Sequence, residues 1–232
     1  MSEFEGQHVV VTGGAGALGT AVATRLIEAG AHVHVPAWNE EEASRFALAK
    51  DPRVTVRVGV DLSDDVQVEN FYAHVPHLWA SIQIAGGFLA APLAETTPTM
   101  LRRMLSTNTI SCFLCCREAV ARIRERGFGG RLVNVSAKPV LVPAPNVSAY
   151  AASKAAVAAL TQSLAEELKS ENIWVNAVVP SIIDTPANRA AMPNADHEAW
   201  PSTDDLASTI VFLASPHNKA TRGALVPVYG RS

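Results

Sequence analysis

The stretch Gln7-His-Val-Val-Val-Thr-Gly-Gly-Ala-Gly-Ala-Leu-Gly19 decides the fold. Its first six residues read as an apolar strand and its last seven as a glycine-rich turn. An amphipathic helix follows to about Ala29. Strand, glycine turn and helix in that order form the unit in which backbone N–H groups can approach a pyrophosphate. The helix start adds unpaired donors and the positive end of its dipole. The alternative is a tight β–α turn with no ligand.

Outward from this unit, strand and helix signals alternate. Strands are expected over Ala31–Pro36, Arg53–Val60, Trp79–Ala85, Arg131–Ser136, Ile173–Val179 and Ala224–Val228. Helices are expected over Glu40–Lys50, in one or two pieces over Pro98–Arg126, from Tyr150 to about Lys169, and over Asp204–Ala214. Such alternation predicts an α/β fold, a Rossmann-type doubly wound parallel β-sheet of about seven strands, with residues 1–232 forming one domain. The polar stretch 184–201, with Pro186 and Pro193, is too irregular for a long helix. It follows a strand's carboxyl end and is a candidate substrate lid.

Composition narrows the function classes. With 48% hydrophobic and 18% charged residues, the chain can bury a sizeable core. A net charge of −3 supplies no basic field, so neither nucleic acid nor an anionic membrane is an expected partner. The start Met-Ser-Glu-Phe-Glu lacks the basic and apolar regions of a leader, and no apolar run approaches a membrane span. The expected location is the cytoplasm. Cys112, Cys115 and Cys116 lie close together on a predicted helix without further ligands at metal-binding spacing. No metal is expected, and the thiols read as reduced residues of a core or an interface.

Candidate site residues cluster at the carboxyl ends of the predicted strands. After the second strand, Ala37-Trp38-Asn39 is neither acidic nor basic, so a ribose 2′-hydroxyl or 2′-phosphate meets no dedicated charge there. Asn39 either bonds a hydroxyl or caps the next helix, and Trp38 is placed to cover an adenine. The lack of a cation leans toward NAD(H) over NADP(H). Asp61-Leu62 closes the third strand, where Asp61 either meets an adenine amino group or serves as a cap. Ala85-Gly86-Gly87 keeps space beside the sheet, and Phe88 either stacks on a flat substrate or packs in the core. Tyr150 and Lys154 stand four residues apart on one helix face. An ammonium beside a phenol favours phenolate, so Lys154 is expected to lower the Tyr150 pKa and make it a usable acid/base.

Taken together, Thr12-Gly-Gly-Ala-Gly-Ala-Leu-Gly19, Ala85-Gly-Gly87, Asn108, Tyr150-Ala-Ala-Ser-Lys154 and Pro180 through Thr185 resemble the short-chain dehydrogenase/reductase family over nearly the whole chain. The resemblance implies an NAD(P)-dependent oxidoreductase. It makes Tyr150 the general acid/base, Lys154 the residue that holds the nicotinamide ribose, and Asn108 the support of a water relay. Cofactor contacts are implied at Gly13, Ala17, Leu18, Gly19, Asp61, Leu62, Ala85, Gly86, Gly87, Tyr150, Lys154, Pro180, Ile183 and Thr185. It also implies a small-molecule substrate and a homodimer or homotetramer joined through the two long helices.

Three positions depart from the family pattern. Ala17 stands at a turn glycine, Ile84 at the asparagine of an Asn-Ala-Gly motif, and Ala137 at the serine thirteen residues before the tyrosine. Ser136 is one residue earlier and should face the other side of its strand. The dihydropteridine reductase branch is similar in Ala137-Lys138, in Ala85-Gly-Gly-Phe88 and in the run Asp184 to Trp200. That likeness implies substrate contacts at Phe88, Lys138, Met192 and Trp200, and a small conjugated acceptor such as a quinonoid dihydropterin. The alternatives are a serine-less carbonyl or 3-oxoacyl thioester reductase, and a catalytically silent cofactor-binding or regulatory protein.

Overall fold

A computed structural model of the chain describes residues 3–232; Met1 and Ser2, part of the stretch read for a leader, lie outside the described residues. The described residues form seven strands: β1 (His8–Thr12), β2 (His32–Ala37), β3 (Val54–Val58), β4 (Leu78–Gln83), β5 (Gly130–Val135), β6 (Ile173–Pro180) and β7 (Leu225–Val228). All pair in parallel, in the order β3-β2-β1-β4-β5-β6-β7. The helices are α1 (Ala17–Glu28), α2 (Glu40–Arg45), α3 (Asp65–Ala73), α4 (Pro98–Met104), α5 (Ser111–Arg126), α6 (Ser148–Glu167), α7 (Pro186–Ala191) and α8 (Thr203–Ala214).

Strand alternation divides the apolar residues between two layers. Val9, Val11, Val33 and Val35 pack with Val22 and Leu26 of α1 and with Leu206 and Ile210 of α8. Val10, Leu78, Leu132 and Val175 pack on the other face with α3, α5 and α6. Both faces are covered, which is why the central strands are continuous apolar runs. No helix among the described residues is long and apolar enough to cross a membrane.

The strand expectations hold to within a residue or two, and the differences have local causes. α2 stops at Arg45 rather than Lys50 because Phe46 leaves helical geometry (ψ 107°) and is buried in the α1 layer. β3 ends at Val58, before Gly59 at φ +79°. β4 ends before Ala85, whose N–H is taken by Thr12 Oγ1 at 3.1 Å instead of a ladder carbonyl. Pro98–Arg126 is one continuous helical path interrupted by a π-helical turn at Leu105–Ile110. Turns of this kind concentrate at functional positions, and Asn108 is buried in this one.

At the amino ends of β1 and β2, His8 Nδ1 lies 2.8 Å from His34 Nε2, and His8 stacks on His32 at 5.0 Å. Burial, reinforced by the neighbouring imidazoles His8 and His32, pulls His34 down to about 4. An unfolded histidine titrates near 6.5, so between these values the unfolded chain binds the extra proton. The His34 contribution is therefore fully present above about pH 6.5 and is lost as pH falls toward 4, up to about 3 kcal/mol. Urea unfolding at pH 7.5 and 4.5 should show this loss in the wild type and a clearly smaller one in His34→Val.

Candidate active site

The turn after β1 holds its shape because side chains do not fit in it. Gly13 sits at φ +66°, and a Cβ there would lie 2.9 Å from Ala85 N. A Cβ on Gly19 would run into Gly13 O. Gly16 is the N-cap of α1 and supplies no side-chain acceptor, so the N–H groups of the first helical turn remain open. They face a cleft of about 840 Å³. Ala17, the first helical residue, is exposed at its edge, so the methyl that replaces a family glycine is accommodated.

Of the residues expected at a cofactor, Gly13, Ala17, Leu18, Gly19, Asp61, Leu62, Ala85, Gly86 and Thr185 line this cleft. Gly87 is held behind it: its N–H donates to Asn108 Oδ1 (2.8 Å) and its carbonyl accepts from Asn108 Nδ2 (3.0 Å). Pro180 is the buried end of β6, and Ile183 packs against the α1 layer. Asp61 Oδ1 accepts from the N–H and hydroxyl of Ser63, while Asp64 caps α3. Asn39 is the cap of α2, its side chain accepting from Glu42 N at 2.9 Å. Thr185 caps α7 by accepting from Asn188 N, which leaves its hydroxyl proton free to donate.

The expectations did not include Gly16, Glu42, Val60, Ser63, Thr107 or Ser111, which also line the cleft. Glu42 was detectable: Asn39 followed three residues later by Glu42 is a capping pattern, in which the acid folds back over the helix start. Thr107 and Ser111 reach the cleft through the π-helical turn and the start of α5. Neither carries a motif in the sequence.

Behind Gly86 stand the proton-handling candidates. A Cβ on Gly86 would lie 2.6 Å from Asn108 Oδ1 and 3.3 Å from Lys154 Nζ. Asn108 Nδ2 also donates to Ser153 Oγ at 3.0 Å, linking the π-helical turn to α6. Lys154 is buried, donates to Val135 O at 2.8 Å, and is lowered by burial to about 8. Tyr150 shifts opposite to the sequence expectation: burial pushes its phenol up to about 12. The Lys154 ammonium is engaged by a backbone carbonyl, and desolvation of the phenolate outweighs any help from it.

Ser136 is buried, with its hydroxyl donating to Lys154 O at 3.0 Å, and Ala137 is buried as well. No hydroxyl from this strand end stands in for the missing serine. Of the residues expected at a substrate, Phe88 is 67% exposed and meets Tyr150 edge-on at 4.9 Å between ring centroids. Lys138 Nζ sits 5.0 Å over the Tyr229 ring. Met192 contributes its carbonyl to His197, and Trp200 is buried against His197 at 4.7 Å, so Trp200 anchors the 184–201 segment. The ends of that segment are joined by Asp184 N donating to Pro201 O at 2.9 Å. Among the described residues no His, Cys, Asp or Glu cluster is arranged to hold a metal, and Cys112, Cys115 and Cys116 are buried free thiols.

The short chain dehydrogenase family model matches residues 7–196. The chain is 31% identical to an NADPH-dependent aldehyde reductase 2, chloroplastic, of Arabidopsis thaliana, covering 97% of this chain and 93% of that protein. It is 30% identical to a 3beta-hydroxysteroid dehydrogenase 1 of Eggerthella lenta, covering 96% and 87%. A solved short chain dehydrogenase/reductase family protein superposes with a TM-score of 0.91 at 25% identity, covering 98% and 97%. ElxO with NADP bound has the same fold, with a TM-score of 0.88 at 24% identity over 99% and 98% of the two chains.

Gly86 is the tightest junction between cleft and proton site. Gly86→Ala should lower stability by about 1–3 kcal/mol through overpacking against Asn108. It should also weaken NAD(P)H binding, because relief of the clash displaces Asn108 or the cleft wall. Thermal unfolding together with a fluorescence titration of the cofactor would check both effects.

Proposed function

The chain belongs to the short-chain dehydrogenase family of NAD(P)(H)-dependent oxidoreductases, and we propose that it reduces a small, flat, conjugated acceptor with Tyr150 as the proton donor. The observation that carries this reading is the pairing of an exposed Phe88 edge-on to Tyr150 with Ala137 where a second hydroxyl would stand. Burial holds the Tyr150 phenol protonated far above neutral pH, which suits it to donate. Lys154 and Asn108 both approach Gly86, and Lys154 lies one turn of α6 from Tyr150.

The residues present fit a nicotinamide dinucleotide. The open start of α1 and the glycine floor at Gly13 and Gly19 suit a pyrophosphate, and Gly86 leaves room against the cleft wall. When bound, the cofactor supplies or accepts the hydride. This chain's own task is to position the acceptor over Phe88 and to pass one proton from Tyr150 Oη. Loss of an oxyanion donor typically costs ~3 kcal/mol in a transition state. A ketone oxygen that gathers full charge suffers from that loss. A dihydropterin in its quinonoid form suffers less, because hydride addition restores ring conjugation. We read segment 184–201 as a substrate lid, with Met192 and Lys138 as proposed substrate contacts.

A second reading is favoured by the exposed apolar side chains Phe88, Leu141, Val142 and Ile182 at the carboxyl ends of β4, β5 and β6. These suit an apolar carbonyl substrate, in keeping with relatives named for an aldehyde and a hydroxysteroid.

Tyr150→Phe should lower the rate of NAD(P)H-dependent reduction by about 10²-fold or more while leaving cofactor binding within a few-fold. Equal rates in both proteins would remove Tyr150 from the chemistry. Across a panel of quinonoid dihydropterin, ketones and 3-oxoacyl thioesters, Ala137→Ser separates the two substrate readings. A gain confined to ketones supports the conjugated acceptor for the wild type. High wild-type ketone activity that the serine does not improve supports the apolar carbonyl.

A further inference from the structure

The carboxyl end of β2 presents Pro36 and Ala37, with no charged side chain of its own. The fold brings one there from α2. Glu42 folds back so that its Oε2 accepts the Trp38 N–H at 2.7 Å, and the side chain lines the cleft beside Pro36 and Trp38. Its second oxygen makes no hydrogen bond among the described residues. After β3, the strand next to β2, Asp61 is the other ionisable lining residue, with one oxygen engaged by Ser63. No lysine or arginine is among the described residues that line this cleft.

Glu42 does have a local role, since its bond to Trp38 N steadies the start of α2. That role uses one oxygen only. A carboxylate oxygen facing a ribose accepts hydrogen bonds from vicinal hydroxyls, whereas a 2′-phosphate at the same place brings like charge against Glu42 with no cation to offset it.

We propose that Glu42 reads the adenosine ribose and makes this protein selective for NAD(H) over NADP(H). The inference rests on the nicotinamide-cofactor reading above. It sets the chain apart from its relative named as NADPH-dependent. Acid recognition at this position comes from a helix residue rather than from the strand end, so the residues 37–39 alone do not reveal it.

Fluorescence titration of the purified protein with NADH and with NADPH tests the proposal without any substrate. The expected result is a Kd for NADH at least about tenfold lower than for NADPH. Glu42→Gln keeps an acceptor for Trp38 N while removing the charge, and should reduce that ratio several-fold, chiefly by tightening NADPH. Equal or tighter NADPH binding by the wild type overturns the proposal, as does a ratio that Glu42→Gln leaves unmoved, the outcome of a purely capping role. Saturable binding of neither cofactor would overturn the nicotinamide reading itself, a result distinct from a wrong preference.

Discussion

The close approach of the Gly13 turn to Ala85 is the contact on which the rest of the structure depends. β1 lies between β2 and β4, and the chain leaves β1 and β4 toward opposite faces of the sheet. That divergence opens the cleft, and the lack of a Cβ at Gly13 keeps the two strand ends together at its floor. Thr12 Oγ1 completes the junction by accepting the Ala85 N–H. The glycines at 13 and 19 therefore act as packing requirements of the sheet as much as a surface for phosphates.

A second layer of constraint sits behind this floor. Asn108 spends its amide on Gly87 and on Ser153, so one buried side chain ties the end of β4 to α6 through the π-helical turn. Lys154 reaches the Val135 carbonyl, and Ser136 bonds the Lys154 carbonyl, so β5 and α6 are laced together. Burial governs the electrostatics here. It pushes the Tyr150 phenol up and the Lys154 ammonium down, each toward its neutral form, and for Tyr150 this reverses the sign expected from the spacing alone. A protonated phenol near an exposed aromatic is a donor, which fits reduction of an acceptor that needs one proton.

The cleft and the surface beyond the ends of β4, β5 and β6 are built differently. The cleft wall beside β2 and β3 is acidic, with Glu42 and Asp61 and no basic lining residue among those described. Beyond the carboxyl ends of β4, β5 and β6 the surface carries the exposed apolar side chains Phe88, Leu141, Val142 and Ile182, with Lys138 drawn over Tyr229. Segment 184–201 is pinned by Trp200 against His197 and by the Asp184–Pro201 bond that joins its ends.

Much of this was legible in the order of residues, for physical reasons that differ by element. The central parallel strands are buried on both faces and the edge strands β3 and β7 only partly, yet all seven carry enough apolar residues between turn signals to be placed within a residue or two. Glycines forced by backbone proximity are also visible, because no other residue fits, and the Tyr150–Lys154 spacing follows from helix geometry. What depended on contacts between distant segments was not legible. The end of α2 goes with burial of Phe46, the π-helical turn carries the bonds of Asn108 to Gly87 and Ser153, and the Tyr150 shift comes from desolvation. The arrival of Glu42 at the cleft beside Pro36 and Trp38 belongs to the same class. The sequence by itself determined the sheet, the glycine turn and the helical spacing of Tyr150 and Lys154, since these rest on local periodicity and sterics. Only the tertiary structure decided their charge states and the acid beside β2, because burial and long-range approach are properties of the packed chain.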